Sequence, residues 1–491
     1  MKKVVNAVYI TSSILASTSG KAEVKVIYGK DHRKEVSHAS AFVQELARST
    51  ATLIPVKELT PDPDNAASYK LSQTTLKQWL ENSSSSKSVR KLFSDDIVAA
   101  TKEGITFCTT ERFVNQPNPG MCSGFLIAPD LIVTAGHCKE LENFCSDYKW
   151  VFDFKTDKDT GRAPTDVGQD NVYGCKRVVS GALSTVLNLD YAIVQLDRFV
   201  KGRRPLKIST DKTIADQTPL VMIGSPSGLP LKVASGAAVR TNVHPFFFSA
   251  NLDSYQGNSG SAVFNSKTWV VEGILVRGET DFVKNPVLMC VQSNMCKDSK
   301  CRGEDVSRMT SIPEVAVMKT LNDAAFTGDV ETLKSVLKLN TWVDFYDSNR
   351  QSPLMKAARG ARTEALKLLL AKGADLNLID VDGNTVLHHL VLTLNDKSAD
   401  ALDVLVAAKI DLEKKNFAGE TALRVAGRLK NSAAARLLIK AGADKNSVDK
   451  KGETILFDFA RAGKQEEISE LLDLGVNPEI KNFKGFNAFG G

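Results

Sequence analysis

Residues 380 to 387 read Asp380-Val381-Asp382-Gly383-Asn384-Thr385-Val386-Leu387, and this pattern returns along the C-terminal part of the chain. A polar residue, a glycine, a threonine and a leucine keep their offsets in the later copies, whereas the first and last copies are degenerate. The glycine position falls at 350, 383, 419, 452 and 485, so the spacings are 33, 36, 33 and 33 residues. Such a period is typical of stacked units that bury one face against the next.

The start of each unit identifies the repeat. Ser352-Pro353-Leu354-Met355-Lys356-Ala357 and Thr385-Val386-Leu387-His388-His389-Leu390 are close to the T-P-L-H-x-A start of ankyrin repeats. Residues 316–491 therefore resemble that family, with about five units and a partial last one. The resemblance implies an all-α solenoid whose concave surface binds a protein partner. We expect three leucine pairs in the shared core: Leu368-Leu369, Leu437-Leu438 and Leu471-Leu472.

Two features inside the repeats have local explanations. His388 and His389 are candidate metal ligands, but the repeat favours a hydrogen-bonding role within the unit. The one longer spacing places three extra residues near Asn395 to Ala399, where we expect a loop. Lys409 stands where three other units have a glycine that ends the helix, namely Gly373, Gly442 and Gly475.

Length and composition limit the class of protein. The chain has 491 residues, 43% of them apolar and 24% charged, with a net charge of +6. At about 150 residues per domain, this length predicts two or three domains. The composition excludes collagen-like, coiled-coil and wholly disordered proteins, and the mild charge does not indicate nucleic-acid binding. No apolar run of about 18 residues is present, so we expect no membrane span.

The cysteines and the N-terminus indicate the compartment. All eight cysteines lie between Cys108 and Cys301, and an even number in one segment suggests disulfides formed in an oxidising compartment. Residues 1–20 have a basic head, a mostly apolar middle and small residues, which resembles a secretory signal peptide. We therefore expect a secreted or periplasmic protein. Zinc binding by Cys290, Cys296 and Cys301 is the disfavoured alternative, because their spacing fits poorly.

The middle of the chain predicts strands and a nucleophilic site. From about Cys108 to Val276, short apolar runs alternate with turn residues, which favours a β-barrel or sandwich. Acyl transfer by a serine needs a nucleophile, a base and a group that orients the base. Three motifs supply these residue types in sequence: Thr134-Ala135-Gly136-His137-Cys138, Asp190-Tyr191-Ala192-Ile193-Val194 and Gly257-Asn258-Ser259-Gly260-Ser261.

Together these motifs resemble the trypsin/chymotrypsin family of serine endopeptidases. The resemblance implies that His137 is the general base, that Asp190 orients it and that Ser259 is the nucleophile. It also implies an oxyanion hole from the N–H groups of Gly257 and Ser259, and a disulfide between Cys122 and Cys138. The expected architecture is multidomain: an all-β double β-barrel (chymotrypsin-like) with an N-terminal extension over 21–312, then the all-α ankyrin solenoid. This chemistry requires no metal or organic cofactor.

The motifs that indicate the branch of the family and those that indicate the substrate preference point to different specificities. Asn258 and the segments Val26–Arg33 and Gly224–Pro230 resemble bacterial glutamyl endopeptidases. Asp253, six residues before the nucleophile, instead stands where the trypsin pattern has the carboxylate that pairs with a substrate Arg or Lys. Leu275 occupies the place of a histidine found in glutamyl-specific members, which favours basic over acidic substrates. The resemblance gives a substrate-binding set of Asp253, Ser254, Val276 and Gly278.

The sequence therefore predicts a secreted serine endopeptidase that acts on proteins or peptides, with an ankyrin array that binds a protein partner. Two alternatives remain open. One is a glutamyl-specific endopeptidase. The other is a catalytically silent scaffold in which the repeats mediate protein–protein binding.

Overall fold

The structure is a computed structural model that describes residues 27–82, 97, 101, 103–210, 213–278, 280–296, 301–338, 343–344, 346–347 and 349–490. The expected signal peptide over 1–20 lies outside the described residues. Within them, no helix combines the length and the apolar character that a membrane span requires.

Six strands close into a first β-barrel. Two neighbouring hairpins form much of it, and both carry β-branched and aromatic residues that pack inward. The strands are β3 (Thr50–Pro55), β6 (Cys122–Ala128), β7 (Leu131–Thr134), β8 (Tyr148–Phe152), β10 (Val172–Ser184) and β11 (Leu189–Leu196). Their order around the barrel is β10-β11-β7-β6-β3-β8.

A second barrel follows in the chain. Its strands run in the order β12-β15-β16-β20-β14-β13, and a pairing between β12 and β13 closes it. The N-terminal strand β2 (Arg33–Glu35) adds to β13, so the N-terminal extension is part of this unit. The barrel strands are β12 (Pro219–Gly224), β13 (Lys232–Thr241), β14 (Phe247–Ala250), β15 (Ala262–Asn265), β16 (Val271–Arg277) and β20 (Glu304–Arg308). The predicted double-barrel fold is confirmed.

Smaller elements surround the barrels. Among the described residues, short sheets form from β1 with β19, from β4, β5 and β9, and from β17 with β18. Three helices of the described residues lie in the same part of the chain. These elements are β1 (Ile27–Tyr28), β4 (Leu59–Pro61), β5 (Ser68–Leu71), β9 (Asp166–Gly168), β17 (Phe282–Asn285), β18 (Cys290–Ser293), β19 (Met295–Cys296), α1 (Ala41–Ala47), α2 (Leu76–Glu81) and α3 (Phe144–Asp147).

All eight cysteines form disulfides: Cys108–Cys290, Cys122–Cys138, Cys145–Cys175 and Cys296–Cys301. The Cys122–Cys138 bond is the one that the sequence predicts. The three cysteines considered as zinc ligands each carry a disulfide, so they offer no thiolate to a metal.

The C-terminal region consists of helix pairs joined by turns. The turns repeat because Asp347, Asp380, Asn416, Asp449 and Asn482 each accept a hydrogen bond from the N–H four residues later. The pairs are α4 (Pro313–Thr327) with α5 (Val330–Leu337), α6 (Pro353–Arg359) with α7 (Thr363–Ala371), α8 (Val386–Val391) with α9 (Ala399–Ala407), α10 (Ala422–Arg428) with α11 (Ser432–Lys440), and α12 (Ile455–Arg461) with α13 (Gln465–Asp473).

The packing of the repeats differs from expectation at one leucine. Leu369, Leu438 and Leu471 are buried, but Leu472 is 37% exposed, so α13 buries one leucine of this pair. The extra residues near 395 form a short 3₁₀ turn, Asp396–Ser398, before α9. His388 hydrogen-bonds to Thr385 Oγ1 and to the carbonyl oxygen of Glu420, which agrees with the structural role.

Candidate active site

The candidate base His137 follows β7 on a 3₁₀ turn, Gly136–Glu140, beside β11. This turn packs closely on the barrel, since a Cβ at Gly136 would lie 2.2 Å from the carbonyl oxygen of Ala182. The disulfide to Cys122 holds the next residue, Cys138. The close packing at Gly136 and the Cys122–Cys138 disulfide therefore fix the position of the His137 imidazole.

His137 and Asp190 contact each other twice. The Nδ1 atom of His137 lies 2.9 Å from Oδ2 of Asp190, and the His137 backbone N–H donates to Oδ1 over 3.0 Å. Asp190 is 1% exposed. Burial disfavours its charged form, but the charge and hydrogen bonds of His137 outweigh burial and hold the pKa of Asp190 below its usual value. An ionised Asp190 that accepts from Nδ1 leaves Nε2 as the basic nitrogen.

Ser259 lies on a tight loop between β14 and β15, where it is 4% exposed. Its carbonyl oxygen accepts from the Ser123 N–H over 2.8 Å and lies 3.9 Å from Sγ of Cys138. Gly260 has φ +91°, and a Cβ there would lie 1.9 Å from the carbonyl oxygen of Ser123. The Ser259 loop therefore packs against β6 and the residue that follows His137, which brings the three predicted residues into one region.

The peptide bond between Gln256 and Gly257 is held in place. The carbonyl oxygen of Gln256 accepts from the Ser227 N–H, and Gly257 has φ +92°. A Cβ at Gly257 would lie 2.7 Å from backbone atoms of Ser225 and Gly228, so only glycine fits. In a trans peptide the C=O and N–H point in opposite directions, so the Gly257 N–H points away from Ser227.

Asp253, the candidate specificity carboxylate, contacts the N-terminal segment. Oδ1 accepts from the Tyr28 N–H and Oδ2 from the His32 N–H, both over 2.8 Å, and the side chain is 3% exposed. Nδ1 of His32 lies 3.3 Å from Oδ2. Burial raises the pKa of Asp253. The segment that resembles glutamyl endopeptidases thus lies directly against the predicted pocket, and the preference for Arg or Lys stays a prediction.

A second carboxylate lies in this region that the sequence motifs do not predict. Glu304, at the start of β20, is fully buried and accepts from Oγ of Ser254 over 2.6 Å. Its carboxylate also occupies the space beside Gly278, where a Cβ would lie 2.1 to 2.4 Å from the Glu304 side chain. Glu304 therefore joins two residues of the predicted pocket, while Val276 lies in β16, the strand that pairs with β20. The sequence carries no signal for it, because β20 reads Glu-Asp-Val-Ser-Arg and has no apolar pattern that would mark a buried strand.

One group of residues has the spacing of a metal site. Ligand atoms of Cys122, His137 and Cys138 lie within 4.8 Å of one another. The two cysteines are joined in a disulfide, so their sulfur atoms are not thiolates. This group is therefore a disulfide beside the His137 imidazole. It does not fit a metal ion, because a disulfide offers no thiolate ligand.

Comparison with known families agrees with both halves of this description. Residues 122–274 match the family model of the trypsin-like peptidase domain, and this range includes His137, Asp190 and Ser259. Residues 321–416 match the model of ankyrin repeats in three copies. The chain joins a trypsin-like peptidase domain to ankyrin repeats. We refer below to the peptidase domain and the ankyrin array.

Individual relatives cover only parts of the chain. The mouse B-cell lymphoma 3 protein homolog is 30% identical over 165 residues, which is 32% of this chain and 36% of that protein. The Xenopus laevis neurogenic locus notch homolog protein 1 is 34% identical over 142 residues, or 28% and 5% of the two chains. The crystal structure of the ankyrin repeat domain of Bcl-3 aligns with 27% sequence identity and a TM-score of 0.32. This alignment covers 34% of this chain and 77% of that one.

Proposed function

We propose that the chain is a serine endopeptidase in which Ser259 is the nucleophile, His137 the general base and Asp190 the residue that orients it. The contact of His137 Nδ1 with the buried Asp190 carboxylate carries this proposal. Such a contact fixes the tautomer of the imidazole and stabilises the imidazolium that forms during acyl transfer. The peptidase domain supports the reaction class, and protein substrates follow from it.

The reaction proceeds in two halves. Oγ of Ser259 attacks the carbonyl carbon of the scissile peptide bond while Nε2 of His137 accepts the serine proton, and the N–H groups of Gly257 and Ser259 stabilise the oxyanion. His137 then gives that proton to the departing amine as the C–N bond breaks, which leaves an acyl-enzyme. Water, deprotonated by His137, attacks the acyl carbon and releases Ser259.

The four disulfides support an oxidising compartment, so we propose that the protein is secreted or periplasmic. The ankyrin array serves as a protein-binding surface that recruits a substrate. A catalytically silent scaffold has the same array and differs only in the chemistry of Ser259.

Labelling by a serine-directed phosphonate separates the enzyme from the scaffold. We expect the wild-type protein to be labelled and Ser259→Ala to remain unlabelled, since the phosphonate needs the serine oxygen. His137→Ala should be labelled far more slowly, because no base then accepts the serine proton. Mass spectrometry of the intact protein measures the adduct. Ser146→Ala, an exposed serine of the same domain, is the matched control and should label as the wild type does. No adduct on the disulfide-bonded wild type would favour the scaffold.

For substrate preference we propose Arg or Lys before the scissile bond, and Glu304 strengthens this proposal. A carboxylate offers about four acceptor sites, so Asp253 can accept from a substrate cation as well as from Tyr28 and His32. Glu304 places a second carboxylate beside Ser254 and Gly278. Two buried carboxylates attract a cation and disfavour a substrate glutamate.

A cleavage profile on a peptide library checks this preference. We expect Arg or Lys to dominate before the cut, and Glu304→Gln to lower kcat/KM for those peptides by about 10²-fold because one of two carboxylates is neutralised. Glu45→Gln, which changes an exposed carboxylate of α1, should leave the profile unchanged. A profile led by Glu would instead support the glutamyl-specific alternative.

A further inference from the structure

A cavity of about 390 Å³ lies where the ankyrin array meets the peptidase domain. Ile208 and Thr210 of the peptidase domain form one side, and α4, α6 and the turn before α6 form the other. This size is within the range of about 300–1,000 Å³ that is usual for ligand clefts. The helices involved are the first of their pairs, so the cavity is the end of the array's inner-helix face that lies nearest the peptidase domain.

Asn322 gives this cavity an unsatisfied hydrogen-bond acceptor. The residue lies on α4, lines the cavity and is 7% exposed. Its Oδ1 atom is buried and accepts no hydrogen bond from the part of the chain that the structure describes. An unpaired buried amide oxygen destabilises the folded protein, whereas an apolar side chain of similar size at this position would avoid that cost. A turn of this side chain toward the cavity would let the oxygen accept from a donor that arrives from outside, such as a peptide N–H.

The charges on the wall favour a negative ligand. Nζ of Lys356 lies 2.7 Å from Oδ2 of Asp347, so these two charges neutralise each other. Lys319 and Arg359 are exposed and form no ion pair of 4.0 Å or less with any described residue. One further carboxylate, Asp323, also lines the cavity. Positive charge is thus in excess.

Part of the wall is apolar. Val315 and Met318 contribute buried carbon atoms, and Phe326 is 44% exposed at the end of α4. A ligand that covers Phe326 gains the free energy of removing an aromatic ring from water. A free inorganic anion makes no use of this surface and has no N–H to donate to Asn322.

We propose that this cavity binds an extended segment of a protein partner in which an acidic side chain stands next to an apolar one. The carboxylate pairs with Lys319 and Arg359, a backbone N–H donates to Oδ1 of Asn322, and the apolar side chain covers Phe326. This inference deepens the proposed recruitment role and rests on it, since the partner segment then belongs to a protein brought to the peptidase domain.

Binding is tested apart from catalysis by using the full-length Ser259→Ala protein, which does not cleave the probe. The probe is a short fluorescein-labelled peptide of alternating Asp and Leu, and anisotropy gives its Kd. We expect Lys319→Glu with Arg359→Glu to weaken binding about tenfold or more, because two attractive charges become repulsive. The same double variant should prefer a peptide with Lys in place of Asp. Unchanged affinity in the double variant, or no binding of the acidic probe, would overturn the proposal.

Two controls locate the effect. Lys372→Glu reverses an exposed charge beyond the end of α7, outside the cavity, and should leave Kd unchanged. Asn322→Leu should raise the Tm of the free protein, because it removes an unsatisfied buried oxygen. The same variant should bind the probe peptide more weakly, because the peptide N–H then lacks its acceptor. If inorganic phosphate displaces the probe as effectively as unlabelled peptide does, the cavity binds anions in general. That result would contradict the proposal. A failure of binding with normal phosphonate labelling of the wild type leaves the proposed function intact.

Discussion

Replacing Ser259 with Ala is expected to lower kcat/KM for a peptide substrate by about 10⁴ to 10⁶. The loss is large because the hydroxyl forms the acyl-enzyme, and the oxyanion hole alone retains only part of the rate enhancement. A fluorogenic peptide chosen from the cleavage library provides the measurement. The Cys122–Cys138 disulfide and the loop glycines are unchanged in this variant, so its fold should be that of the wild type.

The decisive comparison is between single and double variants. Ser259 and His137 act on the same proton, so Ser259→Ala combined with His137→Ala should be about as slow as either alone. If the two losses multiply instead, the residues act independently and the proposed pair is wrong. Ser146→Ala again provides a matched control, because this exposed serine caps a turn far from the loop of Ser259 in sequence.

The local parts of this site could be predicted from the sequence because each depends on a short segment. The turn Thr134–Cys138 needs Gly136 where it packs against the Ala182 carbonyl oxygen, and the loop 257–261 needs glycines at positive φ, so both appear as motifs. The turns of the ankyrin array repeat because an Asp or Asn side chain bonds to nearby backbone N–H groups.

The remaining features depend on residues far apart in the chain. Asp253 meets Tyr28 across 225 positions, and Cys108 pairs with Cys290 across 182. Glu304 reaches the predicted pocket from the last strand of the second barrel. No local periodicity encodes such contacts, because they follow from how the two barrels close. For the same reason, the sequence does not decide among the fifteen possible pairings of the six cysteines other than Cys122 and Cys138.

The sequence patterns do not predict how the peptidase domain and the ankyrin array pack against each other. Helix α4 begins five residues after β20 ends, and it is also the first helix of the ankyrin array. Val315 and Met318 of this helix belong to one continuous core that also contains Ile208 of the peptidase domain and Leu354 of the next unit. The helix is therefore common to both halves, and a deletion that starts at 316 would cut through it.

Leu321→Ala tests this shared core. Leu321 is fully buried in the middle of α4, so we expect its loss to cost about 2–5 kcal/mol of unfolding free energy. Three of the four tryptophans, Trp79, Trp150 and Trp269, lie in the peptidase domain, and Trp342 falls in the ankyrin part of the sequence, so tryptophan fluorescence reports mainly on the peptidase domain. Far-UV circular dichroism at helical wavelengths reports mainly on the array. In urea, both transitions should shift together to lower concentration, because one helix supports both cores.

Leu438→Ala provides the matched comparison for this effect. Leu438 is also fully buried, but it lies on α11, three helix pairs away from α4. Its replacement should shift the dichroism transition more than the fluorescence transition, since repeat units contact chiefly their neighbours. If Leu321→Ala shifts the dichroism transition alone, α4 belongs only to the array. The peptidase domain would then fold independently of the array, and a substrate bound to the array would not be held at a fixed position relative to Ser259.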